Sequence, residues 1–183
     1  DRSEAAKITD DNESKRTVEK EAAKKLDKRN LYLLREGVIM NNSQAYKEMS
    51  PGDRSLRRNL EMESQQKSKN PNFAISRTRI SVHNIPREMT ESNLKKAVLS
   101  SIDCQGKLVQ VKIVRSKDRV GQDGKNRSMG FGFLEFMEHE DAVATIRALN
   151  NNPTVFDKAR RPILQYVVVV IIIVVVLVVF VLL

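Results

Sequence analysis

Phe131 and Phe133 are one residue apart in the run Met129-Gly130-Phe131-Gly132-Phe133-Leu134-Glu135-Phe136. Alternate residues of a strand share a face, so a strand here projects both rings to one side and Phe136 to the other. Paired exposed rings stack on flat heterocycles, at roughly 1–3 kcal/mol per base. Arg115, Lys117, Arg119, Lys125 and Arg127 crowd the stretch just before them, around Gly121 and Gly124, and clustered cations suit phosphate. The chemistry in these residues is recognition rather than reaction. No nucleophile–base set, metal-ligand spacing or phosphate-cradling glycine loop stands out. His83 and His139 are far apart, without Cys or carboxylate at ligand spacing, and the single Cys104 excludes an internal disulfide framework. An enzyme is the class least expected, with no metal, cofactor or small-molecule substrate.

The elements that must position these residues are legible around them. Thr78 to His83 alternates with period two, as a half-buried strand does. Thr90 caps a helix with Glu91 in its first turn and Leu94, Ala97, Val98 and Ile102 on its apolar face. Val109, Val111 and Ile113 mark a second strand, Arg115 to Ser128 a loop, and Phe131 to Phe136 a third strand. Ala142, Val143, Ile146 and Leu149 line a second helix, which Asn150 to Pro153 closes, and Ile163 to Tyr166 is a short fourth strand. The order β-α-β-β-α-β predicts an α+β, ferredoxin-like fold: a four-stranded antiparallel sheet with two helices on one face. Ile80, Val82, Val111, Ile113, Leu134, Phe136, Leu164 and Tyr166 then face the helices. Arg79, Ser81, His83, Gln110, Lys112, Phe131, Phe133, Glu135 and Gln165 face away.

With both patterns in place, residues 129–136 resemble the octamer of the RNA-recognition motif (RRM) family, and Ile80-Ser81-Val82-His83-Asn84-Ile85 resembles its hexamer. The resemblance implies bases stacked on Phe131 and Phe133, with Gly130 and Gly132 clearing space in the sheet. Lys112, Arg79 and the basic loop would take phosphates, and Gln110 and Gln165 would read base edges. Two positions depart from the pattern. Met129 stands where the octamer usually has Arg or Lys, and Ser81 replaces the outward aromatic of the hexamer, with His83 on the same strand as a substitute.

Arg29 to Ile39, Ser76 to Ile80, His83-Asn84-Ile85-Pro86, Asn150 to Pro153 and Arg161-Pro162-Ile163 together resemble the nucleolar RNA-binding protein 28 family. That resemblance implies pre-ribosomal RNA as partner, a role in large-ribosomal-subunit assembly and residence in the nucleolus of the nucleus. Pre-ribosomal proteins would be further partners. It also makes Asn30 to Ile39 the end of a preceding RRM.

Outside the domain, residues 1–77 form a charged flank and linker. Within it, Glu13 to Lys28 reads as a solvated helix, Asn30 to Ile39 as a strand or docking segment, and Arg54 to Lys69 as a second short helix stopped by Asn70-Pro71-Asn72. The formal charge of +9 and a pI near 9.8 suit a polyanion. The chain opens with Asp1, as a fragment or processed product does, and has no apolar signal core near that end. The RRM itself spans 78–166. Val167 to Leu183 contains only Val, Ile, Leu and Phe, at the short limit for crossing a bilayer. It lacks the Gly, Ala, Ser, Trp and Tyr of natural spans, so a membrane partner is not expected. All four residue types share U at the second codon position, and translation of a T-rich non-coding stretch would give this texture. Such a run favours aggregation.

Single-stranded RNA binding without catalysis is the function expected. A protein-interaction RRM that binds a peptide is the alternative, with Ser81 and Met129 in its favour and the two retained phenylalanines against it. A membrane-anchored RNA-binding protein ranks third.

Overall fold

A computed structural model describes residues 29–101, 108–120, 126–156 and 160–170. The chain divides into two compact units, Asp1–Asn30 and Leu31–Leu183, and the sheet with its helices belongs to the second.

That unit opens with a 3-10 turn, Leu31–Arg35, and a short helix α1, Gln44–Lys47. Then come α2 (Pro51–Ser68), β1 (Phe73–His83), α3 (Glu91–Ser101), β2 (Leu108–Val120), β3 (Asn126–Phe136), α4 (His139–Leu149) and β4 (Ile163–Val170). The strands lie in the order β2-β3-β1-β4, every neighbouring pair antiparallel. The expected α+β architecture is therefore present. Ile80, Val82, Ile113, Leu134, Phe136, Leu164 and Tyr166 are buried with Leu94 and Val98 of α3 and Ala142, Ile146 and Leu149 of α4, while Val111 packs partly buried against them. Alternation dictates this layer: every second residue of each strand is apolar, and α3 and α4 each offer one apolar stripe.

Several boundaries differ from the expectation. β1 starts at Phe73 rather than Thr78, and β4 runs to Val170 rather than Tyr166. Phe73, Ala74 and Ile75 pair with Val170, Val169 and Val168, past a bulge between Ile75 and Ile80. The start of the apolar run thus extends a strand, as β-branched residues beside a free ladder do. Residues 171–183 lie outside the described residues, and so does the expected helix over 13–28. Among the described residues no helix is long and apolar enough to cross a membrane.

The expected loop Arg115 to Ser128 is largely ladder: Arg115 pairs with Ser128 and Val120 with Asn126. No glycine or proline interrupts β2 before Gly121, so the hairpin continues.

Leu31–Arg35 is a 3-10 turn, not a strand, and docks by burying Leu33 in the core. Asn150 Nδ2 donates to the Gly37 carbonyl at 2.6 Å and Arg147 Nε to Glu36 Oε1 at 2.7 Å. The expected short helix before Asn70 extends over Pro51–Ser68. Ser50 caps it by accepting from Asp53 N–H at 3.1 Å, with proline in its first turn.

Candidate nucleic-acid interface

The sheet face opposite α3 and α4 is read directly from the register. Phe133 lies opposite Ser81 on β1 and Lys112 on β2; Phe131 opposite His83; Glu135 opposite Arg79 and Gln110. On β4, Gln165 lies opposite Ser81 and Ile163 opposite His83. All expected face residues therefore share one side, joined by Ile163.

Two glycines give β3 its shape. A Cβ on Gly132 would lie 2.5 Å from the Lys112 carbonyl oxygen, so β2 and β3 approach as they do only without a side chain there. Gly130 has φ +79°, and the ladder slips there, from Ile113↔Gly132 to Arg115↔Ser128. Its carbonyl accepts from Ile85 N–H at 2.9 Å. Past this bulge, regular alternation puts Phe131 and Phe133 on one face. Their ring centroids are 6.1 Å apart at 88°, while Phe131 and His83 are 5.8 Å apart with planes within 18°. Both phenylalanines are half-buried.

The face is not uniformly open. Ile163 and Ser81, which point to it, are only 3% and 6% exposed. What covers them is α2, which packs on β1 and β4. Leu60 and Ser64 of α2 line a groove with Ile163 and Gln165, and Leu56 borders a cleft with His83 and Phe131. The inward residues Asp53, Leu56, Arg57, Leu60 and Ser64 recur at helical spacing.

Polar anchors fix the helix. Asn84, at φ +65° just past β1, donates through Nδ2 to Asp53 Oδ1 at 2.7 Å and to the Arg161 carbonyl at 3.0 Å. The Arg57 guanidinium donates to Asn150 Oδ1 at 3.0 Å, the Pro162 carbonyl at 3.0 Å and Asn151 Oδ1 at 3.5 Å. Burial lowers its pKa to about 10, against the pull of Asp53.

The expected site residues therefore divide. Ser81 is turned to internal use: its hydroxyl donates to the Gln165 carbonyl at 3.3 Å and lies 3.2 Å from His83 Nε2. His83 is neutral at physiological pH, because burial lowers its pKa to about 4 although Glu63 opposes the shift. Gln165 is half-buried at the α2 side. This part of the expected face is occupied by the protein's own helix, because a serine leaves the depth that a helix needs.

The β2/β3 half stays accessible. Gln110 and Lys112 are exposed, and Arg79 and Glu135 are half-buried, 3.7 Å apart as an ion pair. Along the hairpin, Lys117, Arg119 and Arg127 are exposed. Arg115 is engaged with Glu91 at 3.5 Å and the Asn126 carbonyl at 3.2 Å; Lys125 lies outside the described residues. Sequence reasoning expected a helix over Arg54 to Lys69 but missed its docking on the sheet and its contacts Asp53, Leu56 and Arg57. The available signals were the Ser50-Pro51-Gly52-Asp53 helix start and Ser81 itself.

Residues 80–159 match the RNA recognition motif family. The chain is 36% identical over 140 residues to RNA-binding protein 28 of Homo sapiens, a match covering 75% of this chain and 18% of that protein. It is 30% identical over 98 residues to Protein elav of Drosophila melanogaster, covering 48% of this chain and 20% of that one. Among solved structures, the RNA15 RRM aligns at 22% identity and TM-score 0.39, over 49% of this chain and 88% of that one. The chain thus spans about a fifth of the curated relatives it matches.

Proposed function

The domain over residues 80–159 belongs to the RNA recognition motif family, and we propose that it binds single-stranded RNA, without catalysis, on the β2/β3 half of its open sheet face. The observation that carries this reading is the pair Phe131 and Phe133, alternating onto one face of β3 beside exposed Lys112 and a cationic hairpin. Bases stack on the rings, and Lys112, Lys117, Arg119 and Arg127 meet phosphates. Gln110 is the exposed amide available to base edges. The resemblance to the nucleolar RNA-binding protein 28 family supports the finer reading: pre-ribosomal RNA, bound in the nucleolus during large-subunit assembly, with pre-ribosomal proteins as neighbours.

The test is binding of the full chain to single-stranded and duplex RNA across a salt series, beside Phe131→Ala/Phe133→Ala. A single-strand preference is expected, weakening as salt rises. The double substitution is expected to weaken it by about 30-fold or more, as loss of one or two stacked bases implies. Equal binding by both proteins, or none by either, removes the sheet as the platform and favours peptide binding.

A further inference from the structure

The covering helix does more than occupy half of the sheet. A cleft of about 590 Å³ separates its first turns from the end of β1 and the middle of β3. On one side are Phe131, His83 and the loop residues Asn84 and Ile85; on the other are Ser50, Gly52, Asp53 and Leu56. Met129 and Gly130 also line it, as do Arg87 and Arg160, both exposed.

We propose that this cleft is a seat for one unpaired nucleobase, stacked against Phe131 and walled by Leu56 of α2, with its neighbouring phosphates on Arg87 and Arg160. α2 is then part of the RNA site, not a lid over it. The inference rests on the RNA-binding reading above and deepens it: the base on Phe131 gains a wall from α2 and a phosphate clamp that the sheet alone does not supply.

Four features select this occupant. The floor is aromatic, with His83 and Phe131 in near-parallel planes, and His83 adds no charge to it. The single acid in the lining, Asp53, is engaged by Asn84 and lies near Arg57, so it does not repel a phosphodiester from the two arginines. Ser50 places a hydroxyl at the wall, where a base edge finds a partner. Finally, α2 is anchored by buried polar contacts to Asn84, Asn150 and Pro162. Its displacement would break these charge-assisted and buried hydrogen bonds together, so RNA meets the helix in place.

Gly52 provides a selective probe. A Cβ there meets only the Ser50 hydroxyl, at 3.8 Å, so a side chain can start from this position without a clash at its first carbon. The experiment titrates the full chain with single-stranded oligoribonucleotides carrying one 2-aminopurine at successive positions, whose fluorescence is quenched on stacking. Gly52→Phe is expected to weaken binding about tenfold and restore fluorescence at one position, leaving the position stacked on Phe133 quenched. Arg87→Ala/Arg160→Ala, both exposed, decides the matter should Gly52→Phe fail to fold. It is expected to weaken binding more than Lys95→Ala/Lys96→Ala, which removes the same charge from α3 on the other face.

Wild-type affinity and quenching in both cleft variants, with Phe133→Ala still losing RNA, would overturn the cleft and leave the sheet reading intact. Failure of the unsubstituted chain to bind any of these RNAs would overturn both.

Discussion

Ser81 shows how one residue type decides what a sheet face holds. It points the same way as Phe133 but is buried, its hydroxyl bound to the Gln165 carbonyl. An aromatic ring, usual at this place in the family, would occupy the volume that α2 takes. Ser81→Tyr is therefore expected to cost about 1–3 kcal/mol through overpacking, read as a lowered urea midpoint. Unchanged stability, with α2 still protected in hydrogen exchange, would refute the fit. The serine was legible from the sequence as a departure from the hexamer. Its reason was not, because the element above it comes from the flank.

At the scale of elements, α2 is the part whose formation was readable and whose position was not. Ser50, Pro51 and Asp53 announce its start by local capping chemistry. Its docking face, in contrast, combines Leu56 and Leu60 with Asp53, Arg57 and Ser64, and such a mixed stripe reads as a solvated helix. Burial becomes tolerable through Asn84, Asn150 and Pro162, up to 105 residues away in the chain. Arg57→Ala is expected to remove the hydrogen bonds to Asn150 Oδ1 and the Pro162 carbonyl, which keep only Leu164 N–H and Asn151 N–H as donors, and to cost about 1–3 kcal/mol. Equilibrium unfolding measures that loss, with amide exchange reporting whether α2 comes off first. A change below about 0.5 kcal/mol, the range of ordinary surface substitutions, would mean that the anchor is not structural.

For the molecule as a whole, burial of His83 ties stability to pH. Its folded pKa of about 4 lies below the ordinary 6.5, so the unfolded chain takes up the proton first. The contribution is fully present above pH 6.5, and it is lost as pH falls from 6.5 towards 4. The difference corresponds to about 3 kcal/mol as an upper figure. Melting followed between pH 7 and 4 is expected to decline more steeply for the wild-type chain than for His83→Gln, which cannot titrate there. Parallel curves would show that the imidazole is not held neutral by the fold.

The amino-acid sequence by itself determined the β-α-β-β-α-β order, the inward rows of every strand, and the outward Phe131 and Phe133. All of these follow from periodicities and spacings within a few residues, which local sterics and hydrophobic alternation enforce. It also placed the glycines, although only the structure gives their reasons: a carbonyl 2.5 Å from the site of a Cβ at Gly132 and φ +79° at Gly130. Tertiary structure alone decided that β1 and β4 lengthen by pairing with each other, that the basic stretch becomes a hairpin, and that α2 takes the β1/β4 half of the open face. Those outcomes depend on contacts between distant segments. Buried polar anchors such as Arg57 and Asp53 are indistinguishable in the sequence from solvated ones until their partners arrive.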